Sequence, residues 1–338
     1  MNIPKTMPAV QLFKYKHPFV KNTIPVPTIN ANEVLVAIKG AALNPVDIGI
    51  QSGKMRMIMP YKLPITVGND FAGVIVQIGK NVTKFKVSDK VYGRPNDFKS
   101  GTLAQYIAIS ERGIALMPKN LDFVQAASIP LVSLTSYQAL IEYGHLKPGQ
   151  RVFIQAGSGG VGTIAIQIAK ALGAYVATTA SGKNSALVKS LGADKVIDYH
   201  TEYFADELRN YDIAFDTLGG NFLKDSFKIL KPGGRVITLN GLPDYRFGVD
   251  HDLGRIRSIL FEIASSHLRH LAKKYHVFYR FFIMHPSGTQ LATITKFIEE
   301  GKVKPIIDKV YSYNQVFTAY DHLQSKHAPG KTVVKINV

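Results

Sequence analysis

The chain has 338 residues, 46% of them hydrophobic and 19% charged, which is the make-up of a globular protein with room for two domains and a sizeable core. It contains no cysteine, which excludes disulfides and every thiolate metal site. Lysine and arginine (41) outnumber aspartate and glutamate (24) for a net charge of +17, but no run of five or more like charges occurs, so the charge is read as solubility and general electrostatics and not as a dedicated nucleic-acid arm.

The opening MNIPKTMPAV has no signal-peptide pattern and no apolar run is long enough to span a bilayer, so a cytoplasmic protein is expected. Residues 1–125 read as mostly β. Glu33–Ala41, Gly73–Ile78 and Ala104–Ile109 are short apolar strands between Gly, Pro and Asn turns, and Lys84–Tyr92 reads as a further strand-and-turn unit. From about 126 to 285 strands alternate with helices: Val152–Gln155, Tyr175–Thr179, Lys195–Asp198, Ile213–Asp216, Arg235–Leu239 and Val277–Met284. Six such strands predict a doubly wound parallel sheet. After Pro286 a helix over Gly288–Glu300 and strands at Ile306–Tyr311 and Thr332–Ile336 predict a tail that returns to the first domain.

The segment Arg151–Gly162, RVFIQAGSGGVG, carries the most chemistry. An apolar strand runs into Gly157, Gly159 and Gly162 at G-x-G-x-x-G spacing, and Val161–Leu172 continues as an apolar helix. In that context the glycines supply a tight turn, close backbone approach to a pyrophosphate and close helix–strand packing. Ser158, Gly160 and Val161 complete the turn, whose N–H groups and helix dipole face phosphate. A site for NAD is expected to place an acid about 20 residues further on, on the ribose hydroxyls. Here no acid occurs from Tyr143 through Ala193, and the second strand ends in Ser181 and Lys183. A hydroxyl and a cation suit a 2′-phosphate, so the expected cofactor is NADPH.

Two further segments are distinctive. Over Gly254–Tyr275, Ile256, Ile259, Leu260, Ile263, Leu268 and Leu271 recur at helical spacing among Arg255, Arg257, Arg269, Lys273 and Lys274. This predicts a crossover helix with its apolar side on the sheet and a solvated basic face; a helix lying on a membrane surface is the alternative. The following strand, Val277–Met284, is unusually aromatic for a sheet edge and predicts a homodimer through that edge. The glycine turn lacks the lysine of a nucleotide-hydrolase loop, and neither a G-x-S-x-G elbow nor an H-E-x-x-H metal motif occurs.

Read together and in order, Ala42–Asp47 (ALNPVD), Gly68–Gly73 (GNDFAG), Lys90–Gly93 (KVYG), Pro130–Ala139, the AGSGGVG turn, Leu191–Tyr199, Asp216–Gly220 (DTLGG), Lys231–Gly234 (KPGG) and Gly330-Lys331 resemble the medium-chain dehydrogenase/reductase superfamily, within it the zinc-free quinone oxidoreductase-like branch. The resemblance covers essentially the whole chain. It implies a GroES-like β domain (1–125 and 286–338), a Rossmann domain (126–285) and a cofactor in the cleft between them. It also implies that Asn44 lies near the nicotinamide with Asp47 ordering its surroundings, and that Thr135 lies near the carboxamide. Leu218, Gly219, Asn240 and Gly241 would line the cofactor, while Tyr199 and Lys331 would approach it. The residues alone leave plainer roles open: Asn44 and Asp47 as turn and helix caps, Tyr199 as strand-end packing.

Zinc members of the superfamily hold metal with Cys and a His in a GHE motif. This chain has Asn69 and Asp70 there and no cysteine, so no catalytic metal is expected. Without a strong electrophile at the oxygen, a conjugated acceptor is the easier substrate, because charge spreads to a carbonyl that hydrogen-bond donors can stabilise. The expected activity is zinc-independent, NADPH-dependent reduction of a quinone or an α,β-unsaturated carbonyl. The alternatives are a zinc-free aldehyde or ketone reductase, and a non-catalytic NADPH-binding module that associates with RNA or membrane.

Overall fold

The computed structural model describes residues 3–95, 99–325 and 329–336. Short apolar runs bounded by turn residues give β1 (Thr6–Leu12), β2 (Val20–Pro25) and β3 (Glu33–Ala42), then helix α1 (Pro45–Gln51). They continue as β4 (Ile65–Thr66), β5 (Asp70–Ile78), β6 (Lys90–Gly93), β7 (Tyr106–Ser110) and β8 (Ile114–Leu116). Of the unit expected over Lys84–Tyr92 only β6 is strand. Ahead of it Asp89 accepts the Lys86 N–H at 2.9 Å and Ser88 adopts φ 76°, which closes the turn of that unit. Helices α2 (Phe123–Ala127) and α3 (Pro130–Tyr137) follow.

The pattern then alternates: β9 (Arg151–Ile154), α4 (Gly160–Ala171), β10 (Tyr175–Ala180), α5 (Ser185–Ser190), β11 (Lys195–Asp198), α6 (Phe204–Glu207), β12 (Tyr211–Asp216), α7 (Gly220–Ser226) and β13 (Leu230–Thr238). Three helices, α8 (Tyr245–Asp250), α9 (Arg255–Ala264) and α10 (Ser266–Lys274), lead to β14 (Phe278–Phe281). All pairings in this sheet are parallel, in the order β11-β10-β9-β12-β13-β14, which is the Rossmann order. Phe153, Phe204, Phe227, Ile229 and Leu268 fill the core on one side, with Phe153 and Phe204 stacked at 4.7 Å. The order reverses between β9 and β12, so their carboxyl ends frame the crevice where such sheets bind ligands.

One expectation fails in this unit. The predicted single helix over Gly254–Tyr275 is two, and its halves behave differently. On α10, Leu268 is buried and Leu271 packs on the core, as a crossover helix requires. On α9 the residues turned inward are Ser258 and Phe261, and Ile256, Ile259, Leu260 and Ile263 are exposed. Periodicity defines an apolar stripe but not what lies beneath it.

The tail forms α11 (Gly288–Glu299), β15 (Ile307–Ser312), α12 (Val316–Gln324) and β16 (Lys331–Lys335). It returns to the N-terminal strands as expected: β16 inserts between β15 and β3, giving the order β15-β16-β3-β5-β6-β8 with β7 also on β3. A smaller sheet runs β2-β1-β4. The chain divides into one compact unit up to Leu134 joined by the residues from His285 on, and a second over Thr135–Met284. The first thus extends past the expected limit at 125, because α2 packs on β3 and β5 and the Asp70 carboxylate holds the Leu131 N–H at 2.7 Å.

Candidate functional site

In the second unit the glycine turn is packed too closely for side chains. A Cβ at Gly157 would overlap the Thr178 hydroxyl on β10, and one at Gly162 would overlap the Ala156 carbonyl. These two positions therefore bind the turn to strand and helix, and α4 starts at Gly160 with its free N–H groups at the carboxyl end of β9. Ser158 is tied sideways to the next loop, its Oγ accepting from Asn184 Nδ2 at 3.3 Å.

That next loop carries Ser181 and Lys183. Ser181 is only 4% exposed, yet its Oγ has no hydrogen-bond partner, a cost that buried hydroxyls rarely bear without a ligand or water to meet them. Lys183 stands in the short turn Gly182–Asn184 that follows. An acid does come near: Asp198, paired with Ala180 across β10 and β11, would have its Oδ2 2.7 Å from a Cβ at Gly182. Scanning onward from the glycines stops before it, since it arrives from the neighbouring strand. Tyr199, next to it, is exposed and lies against His200 with ring centroids 4.4 Å apart.

Across the reversal of strand order, Asp216 organises the loops after β12 and β13. Fully buried, it accepts the N–H groups of Leu218 (3.2 Å) and Gly219 (2.9 Å) and the Thr238 hydroxyl at 2.5 Å. Burial raises its pKa, and those donors oppose the rise. Asn240 donates to the Thr217 carbonyl, and the Asn240 backbone lies so close to Gly219 that a Cβ there would overlap it. Leu218, Gly219, Asn240 and Gly241 are thereby brought together. Thr135 is buried at the start of this unit. Asp216, quoted above only as part of a motif, is the residue that fixes this loop pair.

The first unit holds a buried polar cluster built by strand register. Ala42 on β3 faces both Asp70 on β5 and Val333 on β16, so the residues just beyond, Asn44 and Lys331, meet beside Asp70. Lys331 is 5% exposed. Its ammonium donates to the Leu43 carbonyl at 3.1 Å, to Asp70 Oδ2 at 3.1 Å and to Asn44 Oδ1. Asn44 donates both amide hydrogens, to Asp70 Oδ2 at 2.9 Å and to the Ala42 carbonyl at 3.2 Å. Asp47 closes the first turn of α1 by accepting the Asn44 N–H at 2.9 Å, and it accepts Asn69 Nδ2 at 2.6 Å. Burial pushes the Asp47 carboxyl up to about 6, against the pull of the Asn44 N–H, Asn69 and Lys331; the Asp70 charge adds to the rise.

Sequence comparison places both units. Residues 30–119 match the family described as alcohol dehydrogenase GroES-like domain, and 191–334 the family described as zinc-binding dehydrogenase. The chain is 34% identical to NAD(P)H oxidoreductase RTN4IP1, mitochondrial, of Danio rerio, over 94% of this chain and 87% of that protein. It is also 34% identical to the chloroplastic NADPH-dependent alkenal/one oxidoreductase of Arabidopsis thaliana, over 98% and 80%. The chain belongs to the medium-chain dehydrogenase/reductase superfamily. The quinone oxidoreductase of Coxiella burnetii superposes with a TM-score of 0.85 at 29% identity, over 98% of this chain and 100% of that one. Both parts of the expected fold, GroES-like domain and Rossmann sheet, are thus present.

The superfamily's zinc does not fit these residues. The chain has no cysteine, and among the described residues no group of three or more His, Asp or Glu converges. At the Asn69-Asp70 position the carboxylate already binds an ammonium, an amide and a backbone N–H, so the positive charge is supplied by Lys331.

Two outcomes follow. Lys331→Met leaves the Asp70 carboxylate buried without its counter-ion and lowers unfolding free energy by about 3–5 kcal/mol; in urea melts, adding Asp70→Asn recovers part of that loss, and simple additivity of the two would refute the coupling. The Asp47 carboxyl holds its proton to about pH 6 in the folded chain but releases it near 3.8 when unfolded. Its contribution is therefore full below pH 3.8 and is lost as pH rises to about 6, an effect of about 3 kcal/mol. Melts of wild type and Asp47→Asn across this range check it: the wild type's stability relative to the variant falls as pH rises, and a constant difference would refute the shift.

Proposed function

We propose that the chain is an NADPH-dependent reductase of quinones or α,β-unsaturated carbonyls that works without a metal. The observation that carries the cofactor assignment is the buried, unpartnered Ser181 hydroxyl next to Lys183: a donor and a cation at the end of the second strand match a 2′-phosphate. Asp198 works against it from behind Gly182, and its carboxylate is partly satisfied by the His200 N–H at 3.1 Å. In this reading Gly157, Ser158, Gly159, Gly160, Val161 and Gly162 hold the pyrophosphate, and Ser181, Lys183 and Tyr199 the adenosine end. Thr135, Leu218, Gly219, Asn240 and Gly241 line the nicotinamide end. When bound, NADPH supplies the hydride.

Support for the acceptor class comes from the donor set and from relatives. One relative is named as an alkenal/one reductase of Arabidopsis thaliana and a structural neighbour as a quinone oxidoreductase of Coxiella burnetii. With no metal ligands beside Asp70, an acceptor that delocalises its own charge is the better match. Asn44 and Asp47 enter as positioning residues, because both amide hydrogens of Asn44 and its oxygen are engaged within the cluster. Lys331, engaged in the same way, acts through Asn44. A homodimer is supported by the place of β14 at the end of its sheet with Phe278 exposed. A reducing compartment, the cytoplasm in our reading, suits a cysteine-free chain, although the two named relatives are mitochondrial and chloroplastic.

The test is oxidation of NADPH and NADH by chelator-treated protein over quinones, enones and saturated carbonyls. Turnover of conjugated acceptors with NADPH, unaffected by the chelator, is the expected result; faster turnover of simple aldehydes, or activity restored only by zinc, would overturn the reading. Lys183→Ala raises the KM for NADPH about 10- to 100-fold and leaves that for NADH unchanged. An equal effect on both cofactors would show that Lys183 does not read the 2′-phosphate.

A further inference from the structure

The loop that leaves β13 is held at two points, and the second has no place in the reading above. At the first, Asn240 donates its side-chain amide to the Thr217 carbonyl at 2.5 Å, and its backbone N–H to the Thr238 hydroxyl at 3.1 Å. At the second, Tyr279 on β14 closes on Leu242 from the neighbouring strand. Its phenol donates to the Leu242 carbonyl at 2.8 Å and accepts the Leu242 N–H at 2.9 Å. A neutral phenol has one hydrogen to give and lone pairs to accept, so a single side chain satisfies both backbone groups of this residue. Burial pushes the Tyr279 pKa up, the Leu242 N–H opposes the rise, and the charges of Asp244 and Asp216 add to it. The hydroxyl therefore keeps its proton throughout the neutral range.

The phenol is itself firmly placed. Tyr279 pairs with Val236 across β13 and β14, and its ring packs on the core of the sheet, stacked with Phe227 at 6.1 Å between centroids. The hydroxyl lies so close to Gly241 that a Cβ there would come within 2.3 Å of it, so the two fit together only because position 241 is glycine. Packing does not hold the loop in their place, since the Leu242 side chain is 43% exposed. Pro243 has no N–H to add, and the next anchor is Asp244, whose carboxylate caps α8 at the Phe247 N–H. We propose that Tyr279 is a positioning residue for the nicotinamide end of the cofactor, holding Gly241 and Leu242 in the shape that end meets. The proposal rests on the cofactor reading above, in which Gly241 lines that end. A loop ordered before binding spares the complex the entropy cost of fixing it.

Calorimetric titration of the full chain with NADPH, NADH and adenosine 2′,5′-bisphosphate tests it, because the bisphosphate carries the adenosine end alone. Tyr279→Phe keeps the ring and removes the hydroxyl. It is expected to weaken NADPH and NADH alike, by about five- to tenfold, and to leave the bisphosphate unchanged. With a conjugated acceptor kcat falls as well, since the nicotinamide is held less firmly. Equal NADPH affinity in the wild type and the variant would overturn the proposal. So would an equal loss of affinity for the bisphosphate, because the substitution would then have damaged the unit as a whole. A wild-type chain that binds none of the three ligands would refute the cofactor reading itself, and this role with it.

Discussion

The buried ion pair between Lys331 and Asp70 is the interaction on which the first unit depends. Neither charge has water to fall back on, so each is tolerable only while the other is in place. The pair joins strands β16 and β5, which do not touch each other in the sheet but both flank β3. It also fixes Asn44, whose amide bridges the two partners, and α3, whose Leu131 N–H ends on the same carboxylate. One carboxylate therefore ties together the exit from β3, the start of β5, the entry to a helix and the C-terminal strand. Such a node costs desolvation and returns specificity: any slip in the β16 register would leave an ammonium facing apolar residues.

A corresponding role in the second unit falls to Asp216, with a different chemistry. It has no counter-ion among its hydrogen-bond partners, and backbone N–H groups and a hydroxyl hold it instead. That arrangement shapes the backbone of two loops at the crevice without placing a strong charge of opposite sign in it. The glycine turn opposite is shaped by the absence of side chains. Rigid backbone on both sides of the strand-order reversal is what a preorganised nucleotide site requires.

Local features were legible in the sequence and convergent ones were not. The strand, glycine turn and helix from Arg151 to Ala171 are contiguous, and period and spacing sufficed to find them. The cluster around Asp70 was not recoverable in the same way. Asn44 and Lys331 lie 287 positions apart, and only the pairing of Ala42 with both Asp70 and Val333 brings them together. Asp198 reaches Gly182 in the same non-local way, delivered by a parallel neighbour strand. The error at α9 is of another kind. Ile256, Ile259, Leu260 and Ile263 have the period of a core-facing helix, but the break at Ser265 lets α10 alone cover the sheet, and the α9 stripe turns outward.

The engagement of Lys331 at Asp70 limits what the first unit can contribute to chemistry. A metal ion with an open coordination position polarises a bound oxygen directly. An ammonium has only three hydrogens to donate, and Lys331 directs them at Leu43, Asn44 and Asp70. Nothing is left over for a substrate oxygen. Its field still acts, but it is largely cancelled by the carboxylate it contacts, with Asp47 adding further negative charge when ionised. A carbonyl that must localise a full negative charge on one oxygen gains little there, whereas a conjugated acceptor spreads that charge over several atoms and asks less of any single donor. The chain's buried electrostatics and the acceptor class proposed for it thus rest on the same fact: the one strong cation in the cluster is already neutralised.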